Sequence, residues 1–419
     1  MRVIRWGQPG LLVAVVAAVA GSGIGCGESG STPTASTTSS TTSELVPRRK
    51  PSPFESKVKQ QNTVADQNGF ALKTDPDLQN AWGLVFKGDS AWVAANHTGT
   101  VREYSDDGTF GDVISLPLAS GDPSSPTGQV INRFPHAFMG DAIVTVSEDG
   151  VIFGVNPGTP TAAIRVTTDT AVYKGDAIAM FHGKPRLFAT DFFNRKVDAF
   201  EADYSPAKLG GDFVDPELAT LTEDGTTPKE MYAPFNIMPF RDKLLVTFAL
   251  QAGPDNEDDD PGPGRGFVDI FDTDGNYVQR LITRGNLNSP WGMALSREHV
   301  GDVDLIVGNF GDGHVNVYGL STSMHGRRVR ANFEGPIGYL RGGPVVIEGL
   351  WPSPSETAAT SKPTSSTSPP APATAKRSRP TACSASSTSS VRDASRRDQT
   401  SGVTFVPSTS HARGAVLKT

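Results

Sequence analysis

Short apolar runs separated by turn residues fill the chain from about residue 60 to residue 351, and they recur as a unit. The clearest part of the unit is Gly-x-(Val/Ile)-x-x-(Phe/Tyr). It is seen at Gly99-Thr100-Val101-Arg102-Glu103-Tyr104 and returns at Gly150 to Val155, Arg195 to Phe200, Gly266 to Phe271 and Gly313 to Tyr318. Each copy follows a second apolar run: Ala91 to Ala94, Ala142 to Thr145, Arg186 to Ala189, Leu244 to Thr247 and Asp304 to Val307. Before most of those stands a third, as in Trp82 to Phe86, Asp176 to Met180, Phe235 to Met238 and Trp291 to Leu295. Runs of four to six residues bounded by Gly, Asp and Asn are strands rather than helices. A unit of strand, turn, strand, turn, strand with a linking strand is the four-stranded blade of a β-propeller.

The recurring hydrophobes Val101, Ile152, Val197, Val268 and Val315 stand 51, 45, 71 and 47 residues apart. Blades of about 40–50 residues fit that spacing. The long interval holds two loops, near 203–230 and 251–265. Five copies are visible, and Gly349-Leu350-Trp351 echoes the Pro290-Trp291-Gly292 start of the fifth. The expectation is an all-β, six-bladed propeller over residues 61–351 with its last blade incomplete, five or seven blades being the alternatives. A β-sandwich has many short strands but not this three-part repeat. A parallel fold needs helical crossovers, and no 3.6-residue periodicity of useful length is present.

The segments DPDLQNAWGLVF, YAPFNI, GFVDIFDTDGN, LNSPWGMAL, VGNFGDGHVNVY and IEGLW occur in that order. They resemble a family of uncharacterised exported bacterial proteins of NHL-type or lactonase-like β-propeller form, over about residues 61–351. The resemblance implies the fold and export and brings no activity with it.

The N-terminus supports export. Arg2 and Arg5 precede the apolar stretch Leu11 to Ala20, which is too short to span a bilayer as a helix and has the pattern of a secretory signal. Residues 1–26 end in Gly23-Ile24-Gly25-Cys26, which resembles a bacterial lipobox with Cys26 as the lipidated residue, although Gly23 stands where Leu is usual. The alternative is cleavage nearby and secretion. Residues 27–60 are rich in Ser, Thr and Pro and read as a disordered linker. Neither of the two cysteines, Cys26 and Cys383, lies in the repeat region, so no disulfide framework or Cys-based zinc site is available to it.

Composition shifts again after Trp351. Residues 352–419 form a low-complexity tail of Ser, Thr, Ala, Pro, Lys and Arg, with no Gly, Leu, Ile, Phe, Tyr, Trp or Met before Gly402. Such a stretch is a natural tail or the product of a shifted reading frame. Back-translated and read one base out, part of it yields a Gly-Val-Phe-Gly-Val-Ile strand much like Gly150 to Val155. On that account residues 352–419 pack against nothing and the strand near Thr63 is left with an unpaired edge.

Charge bears on partners. The net charge is −7, but the first 26 residues hold two cations and no acid. The residues from Pro352 onward hold nine cations and three acids, which leaves 15 net negative charges on the middle. So acidic a domain does not suit nucleic acid, whose phosphates need clustered cations. Expected partners are an envelope protein or a small ligand, with membrane contact only through a lipid on Cys26.

Candidate chemistry lies where strands meet turns: Asn96, His97, Glu148, Asp149, Asp191, Asn309 and Asp312, with Asn236 and Asn288 opening later elements. Oxygen ligands converging on a propeller channel suit Ca²⁺, and Glu148, Asp191 and Asn309 are the candidate metal residues. The lactonase-like resemblance implies such a Glu, Asn and Asp set. The same residues also read as ordinary turn residues, since Asp, Asn and Gly favour turns. The run Asp255 to Asp260 is a weak Ca²⁺ candidate or a solvated loop, and Asp272-Thr273-Asp274-Gly275-Asn276 is a hairpin turn. Trp82, Trp291 and Trp351 share one blade position and read as packing residues. No HxxxH pair, Gly-x-Ser-x-Gly elbow or phosphate loop is present. Catalytic residues stay unassigned. The sequence leaves a binding scaffold and a Ca²⁺-dependent lactonase-like hydrolase both open.

Overall fold

Each apolar run forms a strand, and burial falls from the inside of every blade to its rim. The computed structural model describes residues 62–218, 230–299, 302–322, 328–339 and 342–347, together with short strands of the termini at 2–5, 12–15, 18–19, 400–404 and 416–418. Five antiparallel sheets follow one another along the chain, each with its strands paired in sequence order. Blade one is Ala81–Lys87, Ser90–Ala95, Thr100–Tyr104 and Phe110–Ser115. Blade two is Pro126–Ile131, Ile143–Ser147, Val151–Val155 and Ala163–Thr167. Blade three has three strands, Tyr173–Phe181, Lys184–Asp191 and Lys196–Phe200. Blade four is Tyr232–Phe240, Lys243–Leu250, Phe267–Asp272 and Tyr277–Thr283. Blade five is Pro290–His299, Asp302–Asn309, Val315–Thr322 and Val329–Pro336.

The fold is the expected all-β propeller, and the five sequence copies are the third strands of its five blades. Val101, Ile152, Val197, Val268 and Val315 are all buried there. Among the described residues there are five blades rather than six, and Gly349-Leu350-Trp351 lies outside them. Ile337, Val345 and Ile347 join Trp82, Ala95, Trp291 and Phe310 in one apolar cluster, so blades five and one share a core. The strand Asn62–Ala65 pairs antiparallel with Thr400–Thr404, Gly402 opposite Ala65 and Val403 opposite Val64. This differs from the expectation that residues 352–419 would leave that strand unpaired. The low-complexity stretch ends at Ser401, and the Val and Thr that follow favour strands.

In blade three, residues 201–218 take the place of a fourth strand. Tyr204 and Phe213 are buried in this segment. The Tyr204 hydroxyl donates to Asp141 of blade two at 2.7 Å, and Phe213 packs on Phe188 and Phe271. The described part of the 203–230 loop is therefore held against three blades.

The inner strands carry a second repeat, centred on the axis: Trp82-Gly83-Leu84, Thr127-Gly128-Gln129, Lys174-Gly175-Asp176, Phe235-Asn236-Ile237 and Trp291-Gly292-Met293. Every inner strand shifts register with its neighbour at this point. The middle residue faces the following blade at close quarters. A Cβ on Gly128 would lie 2.8 Å from the Cα of Gly175, and one on Gly175 would lie 2.8 Å from the Cα of Asn236. Glycine is needed there for lack of space. In blade four Asn236 occupies the position, and its amide reaches the Trp291 carbonyl of blade five at 2.8 Å. Gly175→Ala is expected to destabilise the domain by about 1–3 kcal/mol through overpacking, read as a lower urea midpoint at unchanged slope. An unchanged midpoint would show that the inner strands have slack.

Candidate functional site

The turns from second to third strand lie at one end of the blades, and the residues singled out from the sequence gather there. They end the second strands, one place out from the axis, rather than the axial strands themselves. Asn96, Glu148, Phe192, Gln251 and Phe310 are equivalent in the five blades, each just past its second strand. Inside this ring sits Lys174, the residue before the axial glycine of blade three.

Lys174 is 2 % exposed. Its ammonium donates to Glu148 of blade two at 2.5 Å and to Asp258 of the 251–265 loop at 3.2 Å. It also lies over Trp82, 5.5 Å from the ring centroid, and over Phe192 at 6.0 Å. Burial alone would lower its pKa, but the two carboxylates more than offset that and hold it above the ordinary lysine value. Burial would raise the Glu148 carboxyl, and Lys174 with the Asn96 amide outweighs it, so Glu148 stays below its usual range. The Asn96 amide donates to Glu148 at 2.9 Å and in turn accepts from Asn80 at 3.1 Å. Asn80 also contacts the His97 ring at 3.2 Å, and burial lowers the His97 pKa. A polar chain thus crosses the mouth from blade one to the loop of blade four.

Beneath it is an aromatic floor. Trp82 and Trp291 meet edge to face at 5.3 Å, Trp82 lies 4.9 Å from Phe310, and Phe192 lies 5.1 Å from Phe235. Trp82 and Trp291 hold equivalent blade positions and pack, as their repetition suggested. The Trp291 indole donates to the Lys174 carbonyl at 3.1 Å.

The three residues proposed for a metal have separate engagements. Glu148 is held by Lys174 and Asn96. Asp191 accepts from the Val172 and Asn194 amides at 3.2 Å and from the Asn194 side chain at 2.7 Å, the pattern of a turn residue. Burial raises its pKa all the same. Asn309 donates to the Asn286 carbonyl at 2.9 Å and to Asp312 at 3.0 Å, and its own Oδ1 is buried without a partner among the described residues. Among the described residues no group of three or more His, Cys, Asp or Glu is placed to hold a metal ion. Cys26 lies outside the described residues. Asp272 accepts from the amides of Asp274 and Asn276, closing the hairpin expected there.

The acidic 251–265 loop folds back over the mouth. Gln251 donates to the Phe192 carbonyl at 2.8 Å and to the Asn256 carbonyl at 3.0 Å. The Gly262 amide donates to Asn288 at 2.7 Å, and Asp258 reaches Lys174. Asp255, Glu257 and Asp258 remain exposed, while Asp259 turns inward and is buried. Lys174 was not legible as a site residue, and Asp259 was read only as one member of the acidic run. The repeated position before the axial glycine, where Trp82 and Trp291 stand, was the signal that could have singled out Lys174.

No protein-family model matches the chain. Uncharacterized protein L690 of Acanthamoeba polyphaga mimivirus is 31 % identical over 315 residues, covering 68 % of this chain and 76 % of that one. Uncharacterized protein R648 of the same virus is 31 % identical over 307 residues, covering 68 % and 71 %. The chain belongs to the family of these two mimivirus proteins. These relatives are viral, and they give no support to the bacterial source implied by the sequence resemblance. Among solved structures, the β-propeller domain of Myceliophteria thermophila Cps50 (Swd1) aligns with 66 % of this chain and 75 % of that one at 12 % identity and a TM-score of 0.41. A streptogramin B lyase structure aligns with 66 % and 95 % at 11 % identity and a TM-score of 0.37.

Burial lifts the Asp259 carboxyl to about 6. The folded state therefore holds a proton that the unfolded chain has released between about pH 4 and pH 6. The contribution is fully present below pH 4 and is lost as pH rises through 6. Asp259→Asn is expected to match the parent near pH 4 and to exceed it by on the order of 3 kcal/mol above pH 6, measured by urea unfolding at both pH values. An advantage independent of pH would contradict this.

Proposed function

We propose that the chain is an exported propeller that acts by binding, with its partner seated on the mouth where the 251–265 loop folds over the axis. The observation that carries this reading is the Lys174–Glu148 pair. The carboxylate best placed to take a metal is neutralised by the protein's own ammonium. What remains for a partner is the exposed acidic rim of Asp255 and Glu257 above an aromatic floor. Such a rim suits a basic patch on an envelope protein. The N-terminal signal and Cys26 support placement at the cell envelope. Replacing residues 253–258 by a Gly-Ser linker is expected to abolish capture of that partner from envelope extracts. Capture that persists unchanged would count against the mouth. Cys26→Ser is expected to move the protein from the membrane fraction to the soluble one, and an unaltered distribution would speak against lipidation.

A second reading, a Ca²⁺-dependent lactonase-like hydrolase, draws on one observation, the buried and unpartnered Oδ1 of Asn309. A metal near Glu148, Asp191 and Asn309 would polarise a lactone carbonyl. Elemental analysis and a melting curve separate the readings. Binding predicts no bound divalent ion and no shift in Tm on adding Ca²⁺, whereas a bound ion and a higher Tm favour the hydrolase.

A further inference from the structure

The residues that follow the axial position, Leu84, Gln129, Asp176, Ile237 and Met293, line a cavity of about 190 Å³ in the channel, together with Val130, Ala177 and Trp291. Its wall is polar and apolar in near-equal parts. Three polar side chains reach it, and two of them are already engaged. Gln129 donates to the Gly83 carbonyl at 2.7 Å and the Trp92 carbonyl at 2.8 Å, while its oxygen accepts from Thr145. Asn236 donates to the Trp291 carbonyl and accepts from the Ile237 amide at 2.8 Å.

Asp176 is the third. It is 7 % exposed, and neither carboxylate oxygen has a hydrogen-bond partner among the described residues. An unpaired buried carboxylate is costly, and burial pushes its pKa well above the usual range. Blade two shows what the position normally does. There Gln129 sends two N–H donors back to carbonyls of the preceding blade, and Asp176 has none to send. The cavity at Asp176 therefore lacks both a positive charge and N–H donors.

We propose that this cavity is a binding site for a small organic cation, a primary ammonium on a short alkyl chain, with Asp176 as its counter-ion. The ammonium supplies the missing charge and donors. The chain lies against Leu84, Ile237 and Met293. At about 30 Å³ per water-sized group the volume takes about six such groups, enough for the five heavy atoms of a butylammonium. A hard divalent cation suits the cavity less well. It wants six or more oxygen ligands, and here one carboxylate is free while the two amide oxygens already accept hydrogen bonds. The 15 net negative charges on the middle of the chain also draw cations toward the channel.

The test uses the full chain and titration calorimetry with n-butylammonium, its neutral near-isostere n-butanol, and CaCl₂. The proposal expects saturable binding of the ammonium, at least tenfold weaker binding of the alcohol, and no saturable binding of Ca²⁺. Asp176→Asn keeps the shape, removes the charge, and is expected to weaken the ammonium at least tenfold. The alcohol comparison is made on the unaltered protein, so it decides the matter even if the variant does not fold. Equal binding of alcohol and ammonium, saturation by Ca²⁺ instead, unimpaired binding by a folded Asp176→Asn protein, or no binding at millimolar ammonium would each overturn the proposal.

Discussion

One buried ammonium ties the mouth of this propeller together. Lys174 belongs to the inner strand of blade three, its carboxylate partners to a turn of blade two and a loop of blade four, and the ring beneath it to blade one. A lysine in that position is tolerable only if paired, because removing its hydration costs several kcal/mol. The pairing in turn sets the state of everything around it. It keeps Glu148 ionised, fixes Asn96, and draws the acidic loop across the axis. The electrostatics of the mouth follow from a cation that is part of the chain.

Lys174 reaches that place because of a packing constraint one residue away. The inner strands approach so closely that Gly83, Gly128 and Gly175 have no room for a Cβ toward the next blade. The residues on either side of this position divide between two places. Residues before the glycine build the mouth, with Trp82, Lys174, Phe235 and Trp291. Residues after it line the cavity, with Leu84, Gln129, Asp176, Ile237 and Met293. Two chemically different sites, one ion-paired and one holding a bare carboxyl, thus arise from a single three-residue repeat read in opposite directions.

The sequence showed the third and second strands plainly, because Val101, Ile152 and their equivalents are apolar, stand beside turns and recur at near-constant spacing. It did not show the inner strand of blade two. Pro126–Ile131 includes Thr127, Gly128 and Gln129, polar or small residues that read as a loop. In the fold they are satisfied by other blades, Thr127 by the Tyr173 carbonyl and Gln129 by blade one. The ends of the second strands were legible as a candidate site, since Asn, Glu and Asp cluster there. Their roles were not, because each is decided by a distant partner. Lys174 meets Glu148 across 26 positions and Asp258 across 84, and no local pattern carries such a pairing. The long loops looked free for the same reason, although buried Tyr204 and Asp259 anchor them.

If the mouth is organised by an internal cation, Lys174 and Glu148 must be energetically coupled. A double-mutant cycle with Lys174→Met and Glu148→Gln, read by urea unfolding at neutral pH, measures that coupling. Lys174→Met alone is expected to cost about 3 kcal/mol, because it strands a half-buried carboxylate. The account further predicts that adding Glu148→Gln recovers a large part of the loss. Additive losses, or a Lys174→Met protein as stable as the parent, would show that the pair does not hold the mouth.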